Sequence, residues 1–506
     1  MKNNKPSNTH KLSTIQTDRA AGAILGMAAG DALGAGYEFK PAFEDSIPVR
    51  MKGGGGYNWA PGEWTDDTSM AIPMLQAIAS GKDLLDAKTQ DEIVAAWKDW
   101  VRTAPDVGIQ LSAELPRVDL AHPDGAAASA RLVAAAHHER NGRSAGNGSL
   151  MRTAPVALAY LLEPVKLTRA AREMSDLTHF EEDAGDACVL WSLAIRHAIL
   201  NGELDIRIGL GTLTKERQAV WIDRIKEAEQ HTPRDFPKNG WVVGAFQGAW
   251  SAISLVEKNT VLGDAYANQL QLTLEAAVRG GNDTDTVAAI AGMLSGARWG
   301  ASAVPAQWRR IIHGWPNLRA VDLVRMAKLA VLDRNDPEQA KTAKNLESTF
   351  DYRRSHGDVS ALVQHPHDSQ VWLGAVGALE ALPDSVDTVV SLCQIGAKQV
   401  PDHVAERIEV ILVDAADPSK NAHLDFVLRD TVAAVAALRA SGRTVLLHCV
   451  QAQSRTPSVA ALYSALELNI PIDQAIAEVN AALPDAQPKQ FLGDAIRRIA
   501  TSATRP

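Results

Sequence analysis

The hydrophobic pattern of the chain changes near residue 335, and this change predicts two domains of different class. Before it, apolar residues recur with helical spacing in stretches such as "TSMAIPMLQAIAS" and "VVGAFQGAWSAISLV", which predicts an all-α domain over residues 17–335. After residue 368, short β-branched runs such as "IEVILVD" and "RTVLLHC" alternate with helical stretches. This alternation predicts a smaller α/β domain with a largely parallel sheet over residues 369–506.

The remaining segments have weaker patterns. Residues 336–368 are charged and aperiodic and are predicted to form a linker, whereas residues 1–16 are predicted to form a disordered tail. The sequence has no secretory signal and no apolar run of about 18 residues, so a cytoplasmic protein that does not bind membranes is expected. A net charge of −9 argues against nonspecific binding to nucleic acid, which requires a basic surface.

Two acidic runs stand directly before apolar helices, "WTDDTSMAI" and "GGNDTDTVAAI". Helix capping explains either run taken alone, because Asp and Thr side chains accept hydrogen bonds from the first turn of a helix. The same combination of Thr with paired Asp occurs twice, however, and carboxylates two residues apart can converge on one cation. Oxygen donors without His or Cys favour Mg²⁺ or Mn²⁺, and two such ions about 3.5 to 4 Å apart could hold a polar substrate.

An EF-hand is the alternative metal motif for "NDTDT". The run lacks the Gly at loop position six and the Glu at position twelve that an EF-hand requires. This alternative is therefore rejected.

Three further features accompany the acidic runs. Glu38 follows the small-residue helix "GMAAGDALGAG", where a carboxylate could also be a solvated loop residue. The run "SAGNGSLMR" contains small residues whose backbone N–H groups suit an anion, although an ordinary loop explains them equally well. His179 in "LTHF" is either a ligand contact or a buried structural histidine.

Five motifs, taken in their order along the chain, resemble those of the ADP-ribosylglycohydrolase family. They are "GAILGMAAGDALGAGYEF", "WTDDTSMAI", "GNGSLMR", "THF" and "RGGNDTDTVAAIAGMLSGARWG". The resemblance spans nearly all of residues 17–335. It implies an all-α fold, a binuclear Mg²⁺ or Mn²⁺ centre, and cleavage of the glycosidic bond that joins ADP-ribose to a modified protein or another acceptor.

The resemblance also implies residue roles. Glu38 would lie next to the metals, where it either helps to orient the substrate or acts in proton transfer. On chemical grounds Asp66 or Glu38 is expected to manage the proton, and His179 of the "THF" motif is the candidate substrate contact. The segment expected to hold the diphosphate comprises Gly146, Asn147, Gly148 and Ser149. The implied metal ligands are Thr65, Asp66, Asp67, Asp283, Asp285 and Thr286.

A second motif lies in the α/β half, where "RTVLLHCVQAQSRTPSVAAL" predicts a strand, a tight loop and a helix. Cys449 and Arg455 stand at the two ends of the loop with five residues between them. A loop at a helix N-terminus directs backbone N–H groups inward, favours a thiolate and forms a socket for phosphate. Arg455 could then hold a phosphoryl group through two hydrogen bonds.

Residues 369–500 resemble the dual-specificity branch of the cysteine-dependent phosphatases. The resemblance implies that Cys449 is the nucleophile, Arg455 the phosphate clamp and Thr456 an aid to thiolate departure, with the general acid on the loop "ILVDAADPSKN". Asp417 is preferred to Asp414 for that acid.

Ala452 departs from the phosphatase pattern, because that family carries Gly at this position. If the position requires positive φ, Ala costs about 1 kcal/mol and can distort the socket. A module that binds phosphate without hydrolysing it therefore remains an alternative for this half. For the whole chain, the alternative to an enzyme is a protein that only recognises ADP-ribose or phosphorylated partners.

Overall fold

The structure is a computed structural model that describes residues 11–259, 268–357, 359–483 and 485–503. Contacts divide the chain into two units. Among the described residues, the helical unit comprises Gln16–Val304 and Ile311–Val331, and the α/β unit comprises residues 11–15, 305–310 and 332–503. Residues 1–10 of the predicted disordered tail lie outside the described residues, and the first helix begins within that tail, at Thr14.

The helical unit is built from helices joined by loops, and its one two-stranded sheet, β1 (His313–Gly314) with β2 (Leu318–Arg319), is only two residues long. Its helices are α1 (Thr14–Gly34), α2 (Asp66–Ala79), α3 (Ala87–Trp100), α4 (Ile109–Glu114), α5 (Ala126–Asn141), α6 (Ala154–Ala159), α7 (Pro164–Asp176), α8 (Glu182–Asn201), α9 (Lys215–Gln230), α10 (Val242–Asn259), α11 (Gln269–Arg279), α12 (Thr284–Trp299) and α14 (Ala320–Ala330). Helix α13 (Ala306–Ile311), between α12 and α14, belongs mostly to the α/β unit. A mostly helical domain was predicted for this part of the chain.

Glycines at every fourth position of α1 allow this helix to approach α12 very closely. A methyl group built on Gly26 would lie 2.3 Å from the carbonyl oxygen of Gly292, and one on Gly30 would lie 2.0 Å from that of Ala288. One turn further along, a methyl group on Gly34 would lie 2.4 Å from the Cα atom of Asp285. The close approach therefore brings Asp285, at the start of α12, next to the end of α1.

Replacing Gly30 by Ala tests this packing. We expect Gly30→Ala to lower the free energy of unfolding by about 1 to 3 kcal/mol, because the added methyl group meets backbone that cannot rotate away. Gly211→Ala is the matched control, since a methyl group at Gly211 has no described atom within 4 Å. Equal denaturant midpoints for the two variants would contradict the proposed packing.

The α/β unit contains a five-stranded sheet with the order β3-β4-β7-β5-β6. Strands β4, β7, β5 and β6 run parallel, and β3 pairs antiparallel to β4 at one edge. The elements after Val331 are α15 (Pro337–Glu347), α16 (Arg353–His356), β3 (Leu362–His365), β4 (Asp368–Ala375), β5 (Thr388–Ser391), β6 (Glu406–Glu409), α17 (Leu424–Ala440), β7 (Val445–Cys449), α18 (Arg455–Glu467), α19 (Ile472–Ala482) and α20 (Gln490–Ala503). The largely parallel α/β arrangement agrees with the sequence pattern.

Residues 336–368 were predicted to form a linker, but this segment contains regular secondary structure. This segment forms α15, α16 and β3, and Ala343 and Leu346 of α15 are buried. The pattern was missed because α15 buries few apolar residues and because β3 is a short edge strand. Asp336 and Pro337 were the available signal, since the Asp336 side chain caps α15 by accepting from the backbone N–H groups of Glu338 and Gln339.

Within the described ranges, no helix is both long enough and apolar enough to cross a membrane.

Candidate active site

The two acidic runs, far apart in sequence, meet at the N-termini of α2 and α12. Thr65 Oγ1 lies 3.1 Å from Asp67 Oδ2 and 3.4 Å from Asp285 Oδ2, and Thr286 Oγ1 lies 3.4 Å from Asp67 Oδ2. Thr65 and Asp283 occupy the N-cap positions of the two helices, yet neither side chain makes a capping hydrogen bond. Capping therefore does not account for these two residues.

Carboxylates near the two helix ends form two overlapping groups. In the first, Asp31, Asp67 and Asp285 each place one oxygen within 4.8 Å of the others. The second consists of Glu38, Asp283 and Asp285. Asp285 belongs to both groups, so the arrangement offers two adjacent positions for cations.

The electrostatics of the cluster are unfavourable without a cation. Burial raises the pKa values of Asp66, Asp67 and Asp285 well above the ordinary range, and neighbouring carboxylates raise them further. Burial, with the charge of Asp283 next in importance, raises the pKa of Glu38 to about 9. Glu38 Oε2 and Asp67 Oδ1 are buried without any hydrogen-bond partner among the described residues. Such acceptors require a proton or a cation.

Asp31 was not predicted as a site residue, although it lies in the small-residue helix that was singled out. Its Oδ1 accepts from the backbone N–H of Thr65 at 2.8 Å. Its Oδ2 accepts from the backbone N–H and the hydroxyl of Thr68, at 2.9 and 2.6 Å. Asp31 thus holds the first turn of α2 in place, and the available signal was a single charged residue within a helix of small ones.

The acidic cluster lies at one end of a cleft of about 870 Å³ within the helical unit. Predicted residues that line the cleft are Glu38, Asp66, Gly146, Asn147, Gly148, His179, Asp283, Asp285 and Thr286. Lining residues that the sequence analysis did not single out include Tyr57, Asp106, Gln110, His137 and Asn239. The cleft thus extends from the carboxylates to the loop that was predicted to hold a diphosphate.

Two members of that loop have other roles. The side-chain amide of Asn147 donates to Asp283 Oδ2 at 2.8 Å and to the backbone carbonyl of Asn239 at 2.8 Å. Ser149 is buried, and its hydroxyl accepts a hydrogen bond from Ser175 at 2.9 Å. Gly146, Asn147 and Gly148 line the cleft. The assignment of residues 146–149 to a diphosphate stays a prediction.

Glu114 is a buried carboxylate behind the cleft wall, 3.6 Å from Nδ1 of the cleft residue His137. Burial raises its pKa to about 7, from an ordinary value of 4.5. Because the folded-state pKa exceeds the unfolded value, ionisation of Glu114 opposes folding: stability is greatest below pH 4.5 and falls as pH rises through about 7.

Glu114→Gln removes this ionisation. We expect its free energy of unfolding, relative to that of the native chain, to increase by about 2 to 3 kcal/mol between pH 5 and pH 8.5. Denaturant titrations of both proteins at the two pH values measure the difference. Stability curves that stay parallel over this range would contradict the assignment.

In the α/β unit, Cys449 ends β7 and Arg455 begins α18, as predicted. Ala452, between them, adopts a φ of 57°, so the position does require positive φ. Nη1 of Arg455 donates to the backbone carbonyls of Leu392 and Leu412, at 2.5 and 3.0 Å. The Thr456 hydroxyl donates to the carbonyl of Gly374 at 3.4 Å.

The carboxylate that contacts this loop belongs to Asp414. Its Oδ1 accepts from the hydroxyl of Ser454 at 2.9 Å, and Ser454 lies inside the loop. Asp417, which was preferred from its spacing, instead accepts from the backbone and hydroxyl of Ser419, and these bonds lower its pKa. The described hydrogen bonds therefore connect Asp414, and not Asp417, to the loop.

Comparison with known families decides the class of the helical unit. Residues 12–340 match the model of the family described as ADP-ribosylglycohydrolase. The chain belongs to this family. The resemblance inferred from the five motifs is thereby confirmed, and the match covers every residue placed in the cleft.

The ADP-ribosylglycohydrolase assignment agrees with individual relatives. The chain is 30% identical over 297 residues to the ADP-ribosyl-dinitrogen reductase glycohydrolase of Rhodospirillum rubrum, covering 58% of this chain and 89% of the relative. It is 29% identical to the ADP-ribosylarginine hydrolase Tri1 of Pseudomonas putida, with coverage of 58% and 73%. It is 25% identical to the human ADP-ribosylhydrolase ARH3, with coverage of 59% and 90%.

Two solved structures align with portions of the chain. An ADP-ribosylglycohydrolase-related protein complex covers 63% of this chain and 99% of its own, with 26% identity and a TM-score of 0.48. Human DUSP28 covers 28% of this chain and 95% of its own, with 22% identity and a TM-score of 0.25.

Proposed function

We propose that the helical unit is a metal-dependent hydrolase that releases ADP-ribose from an ADP-ribosylated protein by cleaving the glycosidic bond. The observation that carries this proposal is the pair of carboxylate groups that share Asp285 at one end of the cleft. The cleft is large enough for a dinucleotide-sized ligand, and Gly146, Gly148 and His179 also line it.

The residues present fit two divalent cations. All the donors are hard oxygens, which suit Mg²⁺ and also Mn²⁺. The buried, unpartnered oxygen Oδ1 of Asp67 is an acceptor that a cation would satisfy. The residues proposed to hold the ions are Thr65, Asp66, Asp67, Asp283, Asp285 and Thr286. When bound, the ions polarise oxygen atoms of the substrate and of water.

Glu38 is the preferred group for holding the transferred proton. Its pKa of about 9 reflects burial and negative neighbours, and cations nearby would lower it towards neutrality. A group with a pKa near the working pH can both release and accept a proton. Asp66 is the alternative, because it also lines the cleft. Bond cleavage builds positive charge on the ribose carbon, which the surrounding carboxylates stabilise.

Arginine is the proposed amino acid of the substrate protein to which the ADP-ribose is linked. A relative named as an ADP-ribosylarginine hydrolase matches the helical unit. In addition, Asp106 lines the cleft, and both burial and the charge of Asp283 raise its pKa. A guanidinium group close to Asp106 would neutralise this negative environment and form charge-assisted hydrogen bonds.

The deciding experiment measures free ADP-ribose released from an arginine-ADP-ribosylated protein, with Mg²⁺ or Mn²⁺ and with a chelator. We expect release that depends on the metal and returns when the metal is restored. Tight binding of ADP-ribose without any release would instead favour a recognition protein. Release of ADP-ribose from a serine-linked but not from an arginine-linked protein would support the proposed hydrolase activity and contradict the proposed linkage to arginine.

We also propose that the α/β unit binds phosphate esters at the Cys449–Arg455 loop and hydrolyses them slowly. The supporting observations are the strand–loop–helix arrangement around Cys449 and the contact between Asp414 and the loop. The alternative is a phosphate-binding module without turnover. It draws support from the two backbone carbonyls that occupy Nη1 of Arg455.

A further inference from the structure

His179 lines the cleft beside the Gly146–Gly148 loop, and the hydrogen bonds behind it are fully buried. Nη2 of Arg152 is 2.6 Å from Thr178 Oγ1, and Thr178 Oγ1 is 2.8 Å from Nδ1 of His179. All three residues have 2% or less of their surface exposed. The three side chains therefore form a linear chain of contacts that ends at the cleft.

The direction of each hydrogen bond in this chain follows from its chemistry. A guanidinium group can only donate, so Thr178 Oγ1 accepts from Arg152. The hydroxyl has one hydrogen, and among the described residues Nδ1 of His179 is the acceptor within its reach. A proton on Nδ1 would leave this buried hydroxyl hydrogen without a partner, so we assign Nδ1 as an unprotonated acceptor.

The charge state of His179 completes the argument. Burial, followed by the nearby charge of Arg152, lowers the pKa of His179 well below its ordinary value, so the ring is neutral. Burial lowers the pKa of Arg152 only to about 10, so its guanidinium stays charged near neutral pH. A neutral imidazole with an unprotonated Nδ1 carries its hydrogen on Nε2.

The Nε2–H group points towards the predicted anion loop. A methyl group built on either Gly146 or Gly148 would lie 3.2 Å from Nε2 of His179. Within the described part of the chain, Nε2 has no hydrogen-bond partner in the protein. A donor that is fixed in direction and left unused is suited to an anionic oxygen.

We infer that Arg152 and Thr178 are positioning residues, which fix His179 as an Nε2–H donor to a phosphate oxygen of the ADP-ribose group. This inference rests on the proposed function for its ligand, although the hydrogen-bond direction does not depend on turnover. It also explains why a buried arginine lies behind the loop: its charge holds the threonine hydroxyl in the donating orientation towards His179.

The test compares Thr178→Val with Thr178→Ser in the full chain, with Mg²⁺ present and ADP-ribose as the titrated ligand. Valine keeps the shape of threonine and removes the hydroxyl, whereas serine retains the hydroxyl. We expect Thr178→Ser to bind ADP-ribose within about twofold of the native chain and Thr178→Val to bind at least about tenfold more weakly. Thr153→Val is the matched control, because its buried hydroxyl bonds to Ser192 and not to a cleft residue. It should leave binding unchanged.

Histidine nitrogen NMR of the native chain supplies a readout that needs no variant. The expected spectrum shows His179 in the Nε2–H tautomer alone, and Thr178→Val should lose that preference. A proton on Nδ1 in the native chain would overturn the inference, as would equal binding by the valine and serine variants. Failure of the proposed function has a different signature, namely no metal-dependent release of ADP-ribose by the native chain.

Discussion

Asp285→Asn should lower the release of ADP-ribose by about three orders of magnitude. Asp285 belongs to both carboxylate groups, so one substitution removes a charged oxygen from each proposed cation position. Asparagine has nearly the same shape, and the backbone of α12 can stay in place beside Gly34. The loss should therefore appear in turnover and in the affinity for Mn²⁺, both measured on the full chain.

The same substitution should stabilise the protein when metal is absent. Asp285 is buried among Glu38, Asp67 and Asp283, all of which raise its pKa. Removing one of these mutually repelling charges relieves an unfavourable environment. A rise in the metal-free melting temperature together with a loss of turnover is the combined result that a purely structural role would not produce.

Asp186→Asn is the matched control for this prediction. Asp186 is equally buried but lies within hydrogen-bonding distance of Arg172 and Arg217. Its substitution should therefore destabilise the protein while leaving Mn²⁺ affinity unchanged. If Asp285→Asn behaved like Asp186→Asn in both measurements, the metal assignment would be wrong.

The acidic cluster at the starts of α2 and α12 shows what a sequence can reveal about a site. Thr65, Asp67, Asp285 and Thr286 were identified because the same combination of residue types occurs twice, and the structure brings the two copies together. Asp31 has no such repeat. Its contribution depends on the close approach of α1 to α12, which no local pattern reports.

The partners of loop side chains come from distant parts of the chain. Asn147 and Ser149 were singled out from their place in a glycine-rich run, and the structure pairs them with Asp283 and Ser175. Asp417 was chosen by sequence distance, whereas Asp414 contacts the loop because of how residues 410–421 fold. Local spacing predicts helices and strands well, yet it does not determine which side chain of a loop points inward.

Ala452 is a position for which the sequence analysis stated only a condition. The cost of Ala depended on whether the backbone has positive φ there, and the residue adopts a φ of 57°. An alanine in this conformation costs about 1 kcal/mol, which the rest of the unit evidently sustains. The loop geometry therefore does not exclude chemistry at Cys449.

Cys449→Ser should abolish the hydrolysis of a small aryl phosphate, lowering the rate by at least about three orders of magnitude. In the proposed reaction the Cys449 sulfur attacks phosphorus while the ester oxygen leaves and takes a proton from Asp414, and water then releases phosphate from the sulfur. A serine hydroxyl at the same position ionises far less readily than a thiol, so it does not replace the nucleophile. Phosphate release from the native chain and the variant gives the comparison.

Cys393→Ser is the matched control, because Cys393 is also a buried cysteine and lies close enough to Cys449 and Arg455 for their charges to act on its pKa, yet it is not part of the loop from Cys449 to Arg455. It should retain most of the activity. Release of ADP-ribose by the same Cys449→Ser preparation would show that the rest of the protein is folded. If the native chain binds inorganic phosphate but neither it nor Cys393→Ser turns over an aryl phosphate, then Cys449 is not a catalytic nucleophile. The loop is in that case a binding site, in which Arg455 and the backbone hold the phosphate and no covalent step follows.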